Sequence, residues 1–210
     1  MDLIVYKNIK MSNIRSINLQ VFDFSLIIYN KKVKTNYKPK ILMLKKDEKT
    51  QKRSERMIKL FKAFKEKDLK NLPVPPFTKW ANGKIIRVQY GLMELEFEVR
   101  PEMANPTNLL HGGMQCAFMD DVIGITSATL GYEGFPISID FHVDYLGKVK
   151  VGEKVRVIGK IIREGRNIIH AIAEIYDIQG NLISTGNSNL FKTHFVPNFI
   201  KTADSLSKNE

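Results

Sequence analysis

Asn105-Pro-Thr-Asn-Leu-Leu-His111-Gly112-Gly113-Met-Gln-Cys116-Ala-Phe-Met-Asp120-Asp121-Val-Ile-Gly124 is a polar, glycine-bearing loop that runs straight into an apolar segment. Gly112 and Gly113 stand where a helix should begin, and glycine lets backbone come close to a ligand while its N–H groups point outward. A helix N terminus of this kind favours an oxyanion or a phosphate. From Met114 to Leu130 there is no proline, and Ala, Met, Ile, Val, Phe, Leu and Thr dominate. Such a segment is expected as a helix buried on all sides within a core. Asp120 and Asp121 interrupt it. An ionised carboxylate in apolar surroundings is costly unless it is paired, hydrogen-bonded or used, so this pair marks candidate chemistry.

The chain has 210 residues and 43% hydrophobic content, enough for one good core with an appendage. A single cysteine, Cys116, excludes an internal disulfide and offers no metal-ligand spacing. It is read as a small core residue, and no metal or cofactor is expected. A reducing, cytoplasmic setting fits this cysteine usage. The net charge of +11 is unevenly spread. Residues 1–82 hold 20 Lys and Arg against 7 Asp and Glu, whereas 83–210 hold 13 against 15. A basic arm of this kind can touch nucleic acid or anionic membrane. A solvated, lysine-rich leader is the commoner case, so neither nucleic acid nor membrane is expected as a partner.

Four segments follow from composition and period. Residues 1–42 are rich in Asn and Lys and hold one apolar run, Val21–Tyr29, too short to span a bilayer and lacking the features of a signal peptide. They are expected to be disordered, or to precede the true start, with Met43 as a plausible initiator. Residues 43–79 carry a basic amphipathic helix over Lys45–Lys70, with Met57, Leu60, Phe61 and Phe64 at helical spacing, and then the breaker Pro73-Val-Pro75-Pro76. This helix is expected to dock on the domain. No second helix with the short turn of a helix-turn-helix is present in the pattern. Residues 80–194 form the domain, and 195–210 a C-terminal tail.

Within the domain the period changes to two. Lys84–Tyr90 and Met93–Val99 alternate about Gly91 and predict a hairpin. After the helix and Gly131-Tyr-Glu-Gly134 come four strand patterns, Ile137–Tyr145, Lys154–Ile162, Asn167–Asp177 and Leu182–Thr193. The first sets Ile137, Ile139, Phe141, Val143 and Tyr145 on one face. Two strands, a long helix and a four-strand meander make an α+β fold with an antiparallel sheet, one face of which the helix must cover.

His111-Gly-Gly followed by Asp120, then Pro136–Tyr145, Gly152, Gly165-Arg166 and Asp177-Ile-Gln-Gly180, resembles the hotdog-fold acyl-CoA thioesterases of the 4-hydroxybenzoyl-CoA thioesterase superfamily. The likeness is strongest to the phenylacetate-pathway type, whose signature is Asn, six residues on His-Gly-Gly, and nine residues past the His an Asp. It covers residues 80–194. The resemblance implies an antiparallel sheet wrapped around a long central helix, here preceded by the basic arm and amphipathic helix. It also implies a homodimer or dimer of dimers, with active sites at the dimer interface. The implied activity is hydrolysis of an acyl-CoA to the free acid and CoA.

Carried over residue by residue, the resemblance makes the N–H of Gly112 or Gly113 the oxyanion donor. Asp120 of the partner protomer is then the general base for water, or the nucleophile. Asn105 positions water or carbonyl, and Ser138 matches a serine that helps orient it. Nine helical residues from His111 to Asp120 span about 13 Å, too far for both ends of one helix to serve one carbonyl. Each role has a plainer alternative. Asp120 can be a structural carboxylate with Asp121 the working one, His111 can brace the turn rather than move protons, and Ser138 can be merely solvated. Arg166, at a turn, either meets the CoA phosphates or is simply exposed. His142, His170 and His194 do not converge and have no assigned role. Two other readings compete. One is hydration or dehydration of an acyl thioester, whose residue pattern is absent. The other is a non-catalytic acyl-CoA sensor with the basic arm on nucleic acid.

Overall fold

Asp47 caps the first helix. Its carboxylate accepts the Thr50 N–H at 2.8 Å, and α1 (Glu48–Ala63) follows. The computed structural model describes residues 46–65, 67–198, 201, 202 and 205, all within the compact unit Lys40–Glu210. The leader expected over residues 1–42, with its Val21–Tyr29 run, and Met43 lie outside the described residues. Helix α1 ends at Ala63 rather than continuing to Lys70. Leu69 is out of phase with the Met57–Phe64 stripe, so the helix must stop before this side chain can be buried. It is 2% exposed in a short 3-10 turn, Leu69–Asn71. A second helix that the pattern did not announce, α2 (Pro76–Ala81), follows the prolines. Pro76 occupies its first position, where a missing N–H is tolerated, and Asn82 closes it in the left-handed region at φ 52°.

The hairpin forms as expected, from β1 (Lys84–Gln89) and β2 (Leu92–Glu98) with Gly91 at φ 65° in the turn. Helix α3 (Gly112–Ala128) comes next, then β3 (Pro136–Ser138), β4 (His142–Tyr145), β5 (Lys154–Glu164), β6 (Ile168–Asp177) and β7 (Leu182–Lys192). All pair antiparallel in one sheet of order β1-β2-β5-β6-β7-β3, with β4 also on β7. The four-strand meander is therefore corrected. Only β5, β6 and β7 are sequential neighbours, whereas β2 pairs with β5 and the 136–145 segment crosses to the far edge.

That edge segment is two strands, not one. Ser138 pairs with Leu190 but His142 pairs with Asn187, so four steps on one strand oppose three on the other. The extra residue is a bulge. It is held by Asp140, whose carboxylate accepts the Asn189 N–H at 2.8 Å and the Asn189 Nδ2 at 2.7 Å, while its carbonyl accepts Ser188 Oγ at 2.8 Å. A one-residue insertion reverses which side chains face inward. Ile137 and Ile139 face outward, 46% and 57% exposed, while Phe141 and Val143 face the core. Ser138, paired with the buried Leu190, faces inward instead.

Helix α3 lies on the sheet through Phe118, Met119, Val122, Ile123 and Thr126, all 0% exposed. The Phe118 and Phe97 rings stack at 4.5 Å. The expectation of burial on every side is corrected, since the sheet covers one side and leaves Gly113 and Asp120 exposed. Helix α1 docks at the C-terminal end of α3. Met57 and Leu60 are buried, which contributes roughly 1.5–3 kcal/mol each. Ser54 Oγ donates to the Thr129 carbonyl at 2.6 Å, and Arg53 and Lys46 donate to the carbonyls of Tyr132 and Leu130. The close approach needs Gly131, at φ 78°, where a Cβ would lie 2.3 Å from the Thr50 carbonyl oxygen. Gly131→Ala is expected to combine left-handed strain of about 1–2 kcal/mol with displacement of α1. Thermal melting followed by circular dichroism should show a Tm lower by roughly 5 °C or more.

Candidate active site

The loop before α3 is fixed by its own side chains. Asn105 Oδ1 accepts the Thr107 N–H at 2.9 Å, the Thr107 hydroxyl at 2.8 Å and the Leu109 N–H at 3.1 Å. Its oxygen is therefore occupied in shaping the loop, and only its amide Nδ2 remains to donate to a ligand. Asn108 takes the left-handed turn position at φ 60°. The Leu110 and His111 N–H groups then bond Val149 and Met103 carbonyls at 2.8 and 2.9 Å, which aims the chain into the helix.

His111 is the N-cap of α3, and its Nδ1 accepts the Gly113 N–H at 2.9 Å. Nδ1 as acceptor leaves the proton on Nε2, so the ring is neutral in this arrangement. Its carbonyl accepts the Met114 and Gln115 N–H groups at 2.9 and 3.1 Å. Of the first four helical N–H groups, that of Gly112 has no acceptor among the described residues. The geometry thus separates two glycines that were equivalent in sequence: Gly113 is engaged by the cap and Gly112 is open. The Tyr145 ring packs over Gly112, and its hydroxyl lies 3.2 Å from the Gly112 carbonyl and 3.1 Å from Cys116 Sγ. The bond with the thiol raises the Tyr145 phenol above its usual pKa. Cys116 is therefore half-buried beside the loop rather than a core residue. Neither residue was marked by the motif; Tyr145's place on the inward alternation of β4 was the available signal.

Two turns further along α3 the paired aspartates diverge. Asp120 is exposed and accepts the Ser138 hydroxyl at 2.6 Å, a contact that exists because the bulge after Ser138 turns that side chain inward. Asp121 points the other way and is largely buried; Thr78 of α2 donates to its Oδ1 at 2.7 Å, while Oδ2 has no partner. Burial, opposed by the Thr78 hydrogen bond, pushes its pKa up to about 6, with the charge of Asp120 adding to the rise. Both carboxylates border a cavity of about 430 Å3 enclosed by α1, α2, the linker between them and α3.

One chain does not bring every candidate together. Gly112 and Asp120 stand eight residues apart on one helix, about 12 Å. Arg166 is exposed in the β5–β6 turn. That turn lies toward the C-terminal end of α3, where the Gly91 N–H reaches Thr129 Oγ1 at 2.9 Å and the Ile161 N–H reaches the Gly91 carbonyl at 2.8 Å. Arg166 is thus remote from Gly112 of its own chain.

A long helix lying on an antiparallel sheet of this order, with a polar loop feeding its N terminus, is the hotdog architecture. Residues 107–184 match the thioesterase superfamily. Human acyl-coenzyme A thioesterase 13 is 28% identical over 109 residues, covering 50% of this chain and 76% of that protein. The mouse protein of that name is 24% identical over 94 residues, covering 43% and 66%. Among solved structures, the E. coli PaaI protein from the phenylacetic acid degradation operon superposes with a TM-score of 0.58 at 14% identity, over 69% of this chain and 98% of that one. A hypothetical thioesterase protein from Streptococcus pneumoniae, solved with coenzyme A, gives 0.52 at 19% identity, over 55% and 89%. The domain thus has the hotdog fold, and its residues 107–184 resemble the thioesterase superfamily.

The buried Asp121 carboxyl makes stability depend on pH. Below about pH 4 it is protonated in folded and unfolded chains alike; the unfolded chain ionises first, and stability falls as pH rises through the folded pKa of about 6. A shift of about two pKa units corresponds to roughly 2–3 kcal/mol. Asp121→Asn should raise the Tm at pH 8 by several degrees and change it little at pH 4, as measured by thermal melts at the two pH values.

Proposed function

We propose that this protein hydrolyses acyl-CoA thioesters at a site shared between two protomers. The observation that carries the reading is the division of labour along α3: an open Gly112 N–H at the helix N terminus, and an exposed Asp120 held by Ser138 about 12 Å away. The Gly112 N–H of one protomer, with the helix dipole behind it, stabilises the oxyanion that develops on the thioester carbonyl. Asp120 of the other protomer deprotonates the attacking water, or attacks the carbonyl itself to form a mixed anhydride that water then hydrolyses to the acid. Ser138 orients the Asp120 carboxylate by donating to Oδ1. His111 and Asn105 act as positioning residues, the one bracing the helix start and the other the loop. The thiolate of CoA leaves and takes up a proton.

Dimerisation has a candidate surface in the β3 edge, where Ile137 and Ile139 are joined outside by Phe191, 42% exposed. An apolar strand edge of this kind favours pairing with another copy. The relatives named acyl-coenzyme A thioesterase support the substrate class, and the structure solved with coenzyme A supports the nucleotide part of it. No helix among the described residues is long and apolar enough to cross a membrane.

Thiol release from a panel of acyl-CoAs, read with a chromogenic disulfide, tests the reaction. Asp120→Ala should lower kcat about 10²-fold or more. Gly112→Pro removes the proposed donor at a backbone position that proline suits, being first in the helix after a His111 with φ −60° and ψ 138°, and asks the Tyr145 ring, 3.2 Å from the added Cβ, to shift by a few tenths of an ångström. It should cost about 10²–10³ in kcat. Turnover by neither variant's parent, with CoA esters still bound, would instead favour the sensor reading.

The shared site has its own test. Co-expressing Asp120→Ala with Gly112→Pro gives mixed dimers in which one site carries both defects and the other none. Random assembly should then restore about a quarter of wild-type turnover. A site within one chain would restore none.

A further inference from the structure

Helix α3 carries a glycine in its interior that nothing in the fold requires. Gly124 has a helical backbone, and a Cβ built on it meets nothing within 4 Å. Glycine weakens a helix interior relative to alanine, and no turn or close approach offsets that cost here. What lies in front of Gly124 is the cavity. Its position is one turn beyond Asp120, on the same face of the helix. The cavity reaches from Asp120 and Ser138 to Phe61 and Phe64 of α1 and its C-cap, and its lining is predominantly apolar.

We propose that this chamber receives the acyl chain of the thioester, that the chain is a medium-to-long or similarly bulky hydrocarbon, and that Gly124 sets the depth available to it. The proposal rests on the thioesterase reading and adds the substrate class. A volume of about 430 Å3 lies within the roughly 300–1,000 Å3 of small-molecule sites and far exceeds what an acetyl group fills. Asp120, the carboxylate that would act on the carbonyl, is exposed and borders the chamber, so a chain attached to that carbonyl can reach it. Hydrocarbon needs no hydrogen-bond partners, and the Met57, Phe61, Val74 and Ile125 side chains supply none. The unpartnered Asp121 Oδ2 and the raised pKa of that carboxyl fit a wall with little access to water. The wall contributed by α1, the linker and α2 lies wholly before residue 107, outside the segment that matches the superfamily.

The test compares acetyl-, hexanoyl-, decanoyl- and myristoyl-CoA on the full-length wild type and Gly124→Leu, whose added side chain enters the open space. Wild-type kcat/KM is expected to rise from acetyl to decanoyl. In Gly124→Leu the ratio of decanoyl to acetyl kcat/KM should fall about tenfold or more, chiefly through KM. An unaltered ratio in a folded Gly124→Leu, or a wild type that prefers acetyl-CoA, overturns the proposal while leaving thioester hydrolysis intact. Should Gly124→Leu not fold by circular dichroism, Gly124→Ala carries the same test with a smaller change in the same direction. Binding of the fluorescent fatty acid cis-parinaric acid separates the chamber from the chemistry. If no acyl-CoA is hydrolysed, the thioesterase reading fails, and the chamber stands only if the wild type enhances cis-parinaric fluorescence and the Gly124 variant does so less. No enhancement by the wild type overturns it.

Discussion

Gly159 on β5 lets α3 settle onto the sheet: a Cβ at that position would lie 2.6 Å from Thr126 Oγ1 and 3.1 Å from a Val122 methyl. The contact is made in the C-terminal half of the helix and sets how closely the element lies on the sheet. Phe118, Met119 and Val122 pack below it, and their burial supplies several kcal/mol of apolar stabilisation. With the helix at that height, its N terminus meets Tyr145 on β4 and its middle meets Ser138 on β3. A bulkier residue at 159 would lift both ends of the candidate site at once.

The edge segment then decides which groups the helix meets. A regular strand from Pro136 to Tyr145 would hold Ser138 and Tyr145 on opposite faces, because their positions differ by an odd number. The bulge at Asp140 adds one residue and brings both inward, Ser138 to Asp120 and Tyr145 to Gly112. Asp140 itself touches neither aspartate nor the loop. Its carboxylate is held below the ordinary range by the Asn189 hydrogen bonds, so it stays ionised and keeps the bulge. Bulges recur beside functional sites for this reason: they re-aim a side chain without altering the sheet around them.

The extension before the domain is part of the same machine. Helix α1 is tied to the end of α3 by Ser54 and by buried Met57 and Leu60, and Thr78 of α2 reaches back to Asp121. Between these two attachments the linker stands away from α3 and leaves the chamber. The result is an asymmetric helix: one side on the sheet, one on a cavity, and Asp120 exposed.

Much of this was legible in the residues. The change of period from helical to alternating at Asn82, the Gly91 turn, and the run from Gly112 to the end of α3 follow from side-chain spacing and glycine placement, which act locally and survive in a one-dimensional pattern. Asp120 stood out for the same reason, as a charge in an apolar run. The split between Gly112 and Gly113 was not legible, because it depends on where the His111 ring turns. Nor was the contrast between Asp120 and Asp121, adjacent in sequence yet facing solvent and Thr78 respectively. The bulge hid for a related reason: Ile137, Ile139, Phe141, Val143 and Tyr145 keep perfect alternation, and only pairing with β7 reveals the extra residue. The sequence by itself determined most of the elements, their order and the chemical groups available, since these rest on period, propensity and residue type. Only the tertiary structure decided which face each group takes, which N–H remains open and where space is left, because those depend on registers and contacts between segments far apart in the chain.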